Sequence, residues 1–164
     1  MKRLALLLLL PSGAAAQVYP TPDDYRMAEA QLSRGYAECL GSGYDNDLAC
    51  ALEAQARCHA HGPNGETTAG YAICSGVLAN ILDRELNATW ADLRAVLPAA
   101  EFEALRQAQR AWLAWRDDET RAAVARYSGG SMAAYSGGLR NTQLTAERVA
   151  RLREIRSAGT WTAP

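Results

Sequence analysis

His59 and His61 follow closely after Cys58. Of all the residues in the chain, these three most resemble a metal-binding or nucleophilic motif. A zinc site needs three or four converging ligands, whereas alternate residues at a helix end point in different directions. A cysteine acts as a nucleophile only as a free thiolate, which a disulfide prevents. The pattern therefore predicts no metal site and no cofactor.

Carboxylates are the second group that could do chemistry, as an acid and base at a suitable separation. The candidates are Asp83, Glu85, Asp117 and Asp118. Arginines lie close to them in the sequence, namely Arg84, Arg110 and Arg116. Because such neighbours form structural ion pairs by default, the sequence indicates a protein that is not an enzyme.

These residues lie in a chain with the apolar spacing of helices and no strand-like alternation. Caps, breaks and spacing predict helices over about residues 21–40, 47–60, 67–97 and 99–127, then a loop over 128–138 and a last helix. We expect one all-α bundle of about five helices. In it, a disulfide-bridged N-terminal hairpin packs on two long antiparallel helices joined at Pro98.

The N-terminus has the pattern of a secretory signal peptide. Lys2 and Arg3 precede an apolar run that is too short to span a bilayer, and small residues end at Ala16. We expect cleavage near Ala16, a signal peptide over residues 1–16 and a helical domain over 17–164. The expected protein is periplasmic or secreted and has no stable membrane anchor.

Charge excludes one class of partner. Cleavage would remove two of the 17 basic residues and leave 18 acidic ones, so the net charge becomes 15 − 18 = −3. Nucleic acid is therefore not an expected partner. Residues 17–60 hold seven acids and three arginines. This acidic end could steer a basic partner, although an ordinary solvated surface is the more usual explanation of such a charge distribution.

Four cysteines occupy the first half of the chain, and in an exported protein they are expected to form disulfides. Cys50 and Cys58 are eight residues apart in one predicted helix, roughly 12 Å along its axis, which is too far for a bond. Cys39 and Cys50 flank the Gly41-Ser42-Gly43 turn symmetrically, as facing positions of a helical hairpin would. This favours Cys39–Cys50 and Cys58–Cys74 over the other remaining pairing.

A series of short motifs follows in the second half of the chain. Leu86-Asn87 precedes Ala-Gln-Arg-x-Trp at residues 108–112, then come Arg116-Asp117, Gly129-Gly130-Ser131 and a final Thr-x-x-Arg at 145–148. With Cys74 in front, this order resembles the lysozyme inhibitor LprI-like family over about residues 74–155. The Cys58–Cys74 pair agrees with the family pattern. Relatives often carry a further cysteine pair at places that here hold Thr120 and Leu139.

The resemblance implies inhibition of lysozyme by docking, without chemistry, with a basic lysozyme as the protein partner. The alternative is an accessory cell-envelope protein that binds another exported protein or a peptidoglycan fragment. The motif residues themselves are interpreted as structural, forming a polar network that fixes helix register: Leu86, Asn87, Gln109, Arg110, Trp112, Arg116 and Asp117. Asn87 is expected to be a buried amide, and Trp112 and Trp115 are expected in the core.

A binding surface must then come from elsewhere, and the glycine-rich loop is the candidate. It offers Tyr127, Gly129, Gly130, Ser131, Met132 and Tyr135. Glycines permit close approach, and tyrosine is a common interface anchor. The alternative is a tight reversal in which Tyr135 packs back on the bundle.

Overall fold

The computed structural model describes residues 20–43 and 46–162, which form five helices. These are α1 (Pro22–Gly41), α2 (Asp47–His61), α3 (Thr68–Val96), α4 (Ala99–Ala125) and α5 (Ala133–Ala158). No strand occurs within these ranges, so the expected all-α bundle of five helices is confirmed. None of the described helices is long and apolar enough to cross a membrane. The predicted signal peptide lies outside the described residues.

Side-chain caps set where the first three helices begin. Thr21 and Asp24 form a capping box at α1, and the Asn46 side chain accepts from the backbone N–H of Ala49 at 2.9 Å. Thr67 caps α3 by accepting from Gly70 N at 3.1 Å. Each cap satisfies a backbone N–H that has no partner within its helix. The sequence alone therefore predicts these starts.

Helix α5 lies at the centre of the bundle and packs along both α3 and α4. The α1–α2 hairpin packs on α3 and α5, so α5 rather than α4 is the second long helix beneath it. Although Leu97 and Pro98 join α3 to α4 by a short turn, these two helices touch each other only sparsely. Both α3 and α4 pack mainly on α5, so a groove remains between α3 and α4.

Two apolar clusters form the core. The first joins α1, α2 and α3 through side chains such as Leu32, Cys58 and Leu78, and α5 contributes Ala146 to it. The second joins α3, α4 and α5 through Leu93, Leu105 and Leu152, among others. Because α3 and α5 contribute to both clusters, they connect the hairpin with α4.

Two disulfides hold the N-terminal half of the bundle. Cys39–Cys50 joins α1 to α2 across 5.5 Å between Cα atoms, and Cys58–Cys74 joins α2 to α3 across 5.9 Å. These are the pairs that the sequence favours. The α4–α5 pair has no such bridge and is held by packing and by ion pairs such as Arg140–Glu119.

The predicted loop over 128–138 is too long, because α5 already begins at Ala133. Gly137 and Gly138 belong to this helix. A Cβ atom on Gly137 would lie 2.6 Å from Val124 Cγ2 on α4, and one on Gly138 would lie 2.7 Å from Ser75 Cβ on α3. The two glycines thus permit close packing of helices rather than flexibility of a loop.

Candidate binding site

The groove between α3 and α4 contains two pockets that share Asn87 and Trp90. We call the first the inner pocket. It has a volume of about 330 Å³ and is lined by Asp83, Leu86, Asn87, Trp90, Gln109, Leu113 and Arg116. The neighbouring outer pocket, of about 530 Å³, is lined by Asn87, Trp90, Ala91, Arg94, Phe102, Glu103 and Arg106. Four residues of the family motif therefore meet in the inner pocket, namely Leu86, Asn87, Gln109 and Arg116.

Arg116 connects the two walls of the inner pocket. Its side chain is 13% exposed, and Nη1 donates to Asp83 Oδ1 on α3 at 3.0 Å. Nε and Nη2 donate to the neighbouring Asp117 at 3.3 and 3.2 Å. Hydrogen bonds between charged groups are stronger than neutral ones, so Arg116 fixes the position of α4 relative to α3.

A second polar contact connects α4 with α5. Gln109 Oε1 accepts a hydrogen bond from Arg148 Nε at 2.8 Å. The guanidinium groups of Arg116 and Arg148 lie 5.3 and 5.6 Å from the centre of the Trp112 ring, within range of a cation–π contact. Burial lowers the pKa of Arg148, and nearby Arg151 lowers it further.

The remaining motif residues differ in burial. Leu86 is buried, whereas Arg110 is exposed and lies 4.0 Å from Glu103. The prediction of a buried amide at Asn87 is wrong, since this residue is exposed on the groove and donates only weakly to Asp83 at 3.4 Å. It lies outside the core because none of the described helices covers the groove there.

The two tryptophans of the motif are placed differently. Trp112 packs at the edge of the second apolar cluster. The prediction of a core position for Trp115 is wrong, because this side chain is 47% exposed. Three residues turn a helix by about 300°, so Trp115 lies only about 60° around α4 from Trp112, on the solvent-exposed side of it.

The candidate binding loop is divided by the start of α5. We call residues 126–132 the α4–α5 turn. In it, Tyr127 is 45% exposed, Gly129, Gly130 and Ser131 are also exposed, and Met132 is half-buried. Tyr135 instead belongs to α5, and its ring packs against those of His59 and Tyr71, whose centres lie 5.8 and 5.3 Å away. Tyr135 is therefore not part of the exposed surface of the α4–α5 turn.

His59 is enclosed by these aromatic rings. Desolvation lowers its pKa, and the charge of Glu66 opposes that effect. Its Nε2 atom is buried and has no hydrogen-bond partner among the described residues. No group of three or more metal-binding side chains occurs within residues 20–43 and 46–162.

The four candidate carboxylates all form ion pairs with arginine. Asp83 and Asp117 contact Arg116, as described, while Asp118 contacts Arg121 on the surface. Glu85 accepts from Arg153 at 2.8 Å. Asp83 and Asp117 thus share the guanidinium of Arg116, and Glu85 shares that of Arg153 with Asp47.

One polar network was not expected from the sequence. Asp47, almost fully buried at the start of α2, accepts from both Tyr36 and Arg153. Burial raises the pKa of Tyr36, and the hydrogen bond to Asp47 raises it further. Because Asp47 and Arg153 are 106 residues apart, no local pattern could have indicated this contact.

These features define a class of small helical proteins that combine a disulfide-bridged hairpin, interhelical polar contacts and an open groove. Residues 58–152 match the family described as Lysozyme inhibitor LprI, and the chain belongs to this family. The family resemblance seen in the motifs is thereby confirmed. Comparisons with curated proteins and with solved structures gave no significant match.

Proposed function

We propose that this protein is exported and inhibits a lysozyme or a related cell-wall hydrolase by docking on it, without catalysis. The observation that carries this proposal is membership of a family described as a lysozyme inhibitor. Two disulfides support export, because such bonds persist in oxidising compartments. The pairing of every candidate carboxylate with arginine supports a role that depends on binding.

The α4–α5 turn is the surface that we assign to docking. Tyr127 projects from it with 45% of its surface exposed, next to three exposed small residues. A narrow turn at the end of two long helices fits a concave cleft better than a flat helix face does. Tyrosine supplies a large contact area for few rotatable bonds, which suits an interface anchor.

Electrostatics would favour approach to a basic enzyme. The chain after residue 16 carries 15 basic and 18 acidic residues, a net charge of 15 − 18 = −3. Long-range attraction of this kind raises the association rate and is screened by salt. Inhibition should therefore be strongest at low ionic strength.

The test is inhibition of a basic lysozyme on cell-wall substrate by the oxidised protein lacking residues 1–16. The variant Tyr127→Ala should weaken inhibition by about tenfold or more, as expected for an interface anchor. Tyr25→Ala is the matched control, because Tyr25 is 49% exposed on α1, outside the turn. It should inhibit as the parent does.

Two outcomes would count against the proposal. Absence of inhibition by the parent at low salt would contradict the inhibitory function. Inhibition by the parent that Tyr127→Ala leaves unchanged would keep the function and move the docking surface away from the turn.

A further inference from the structure

Gln109 has a buried amide whose hydrogen-bond donors are unused. A guanidinium can only donate, so the contact with Arg148 requires that the amide oxygen faces Arg148 and fixes the amide orientation. Gln109 Nε2 then makes no hydrogen bond to any residue that the structure describes, although the residue is only 7% exposed. Gln109 lines the inner pocket. A ligand acceptor in the pocket could take up this free donor.

The facing wall of the inner pocket offers acceptors. Asp83 keeps carboxylate lone pairs beyond its contacts with Arg116 and Asn87, and the Asn87 side-chain oxygen accepts from no described residue. Between the two walls lie Leu86, Leu113 and the ring of Trp90. The pocket therefore presents a donor on α4, acceptors on α3 and an apolar surface between them.

We propose that the inner pocket binds an N-acetylated amino sugar. The acetamido carbonyl would accept from Gln109 Nε2, and sugar hydroxyl groups would donate to Asp83 and Asn87. The apolar C–H face of the ring and the acetyl methyl group would pack on Trp90 and the two leucines. A volume of about 330 Å³ is at the small end of ligand pockets and suits one sugar unit.

Two further features favour this ligand class. The outer pocket continues the groove through Asn87 and Trp90, which leaves space for a second linked sugar. Asp83 and Arg116 both line the inner pocket and pair with each other, so its lining residues offer no unpaired cation for a carboxylate. A neutral ligand with both an amide and hydroxyl groups satisfies the walls better than an acidic one. This site is separate from the α4–α5 turn, so the proposal does not depend on the inhibitory function.

The test is a chemical-shift titration of the oxidised, isotope-labelled protein with N,N′-diacetylchitobiose. Cellobiose is the comparator, because it has the same linkage and lacks the acetamido groups. We expect saturable shifts at the residues of the inner pocket with the acetylated disaccharide and none with cellobiose.

Variants of Gln109 make the test specific. Gln109→Glu keeps an acceptor for Arg148, so the fold is retained, and removes the donor that the ligand needs. It should weaken binding about tenfold, as for loss of one hydrogen bond. Gln107→Glu makes the same chemical change at an exposed position of α4 outside both pockets and should bind as the parent does. Asn87→Ala, at an exposed position, should also weaken binding.

Several results would overturn the proposal. They are the absence of saturable shifts at millimolar ligand, equal shifts with cellobiose, and equal affinity of Gln109→Glu and the parent. Equal binding of an acetylated dipeptide amide would also overturn it and assign the groove to a peptide.

Discussion

Gly138 of α5 lies so close to Ser75 of α3 that an added Cβ atom would be 2.7 Å from Ser75 Cβ. This contact is a close approach of the two helices that share both apolar clusters. A side chain at Gly138 would have to push backbone apart, since the Gly76 nitrogen would lie only 3.3 Å from the same Cβ. The separation of α3 and α5 is therefore set by the absence of a side chain.

Gly138→Ala should lower the free energy of unfolding by about 2 kcal/mol, because overpacking shifts the backbone. Gly76→Ala is the matched control, since its Cβ would meet nothing within 4 Å inside α3. That change should raise stability by about 0.5 to 1 kcal/mol by lowering the entropy of the unfolded chain. Urea unfolding followed by circular dichroism measures both, and equal effects would contradict the packing argument.

Replacing Arg116 should loosen α4. Arg116→Ala removes the Asp83 contact and the cation–π contact with Trp112, and we expect a loss of about 2 kcal/mol in the free energy of unfolding. Arg121→Ala removes the exposed pair with Asp118 and should change stability by less than about 0.5 kcal/mol. A thermal unfolding series on both variants decides this, and similar losses would show that burial is irrelevant here.

Stability should decrease in mild acid because of His59. Desolvation lowers its pKa in the folded state below the usual 6.5, so the unfolded chain takes up the proton more readily. The contribution of His59 to stability is complete above pH 6.5 and is lost as the pH falls toward the lowered value. His59→Phe, which keeps a ring against Tyr71 and Tyr135, should remove this part of the slope.

The pH dependence is measured by urea unfolding at several values between about 5 and 8, the range in which histidine changes charge. His61→Phe, at an exposed position, should retain the slope of the parent. An unchanged slope in His59→Phe would mean that other groups cause it.

The two disulfides should differ in their effect on stability. Their sequence separations of 11 and 16 residues predict similar loop-closure contributions, about 3 kcal/mol each. Cys58 and Cys74 are fully buried, whereas Cys39 is only partly buried, so replacing the former pair by alanine also leaves a cavity. The Cys58→Ala/Cys74→Ala protein should therefore unfold at lower urea than Cys39→Ala/Cys50→Ala, and the reverse order would contradict this.

Most of the fold could be predicted because its signals are local. Thr21, Asn46 and Thr67 cap the helices that they precede, and Pro98 separates α3 from α4. The start of α5 could not be predicted in this way. Gly137 and Gly138 read as a loop in the sequence, since a flexible turn and a tight helix contact select the same residue.

The candidate binding site could likewise be predicted only in part from local sequence signals. The motif singles out Gln109, Arg116 and Arg148, but it does not indicate that Gln109 contacts Arg148, 39 residues away, or that Arg116 contacts Asp83, 33 residues away. The groove itself depends on where α5 lies between α3 and α4. Only the three-dimensional arrangement shows that the motif residues line a pocket.

Both disulfides lie within residues 39–74, so α5 has no covalent link to the other helices except through the α4–α5 turn. Exposed turns are preferred sites of proteolytic cleavage. A cut there would leave α5 in place while folded, because it carries part of both apolar clusters. After unfolding, however, two separate fragments would have to meet by diffusion. Refolding of the intact chain does not depend on protein concentration, whereas reassembly of the two fragments would depend on it.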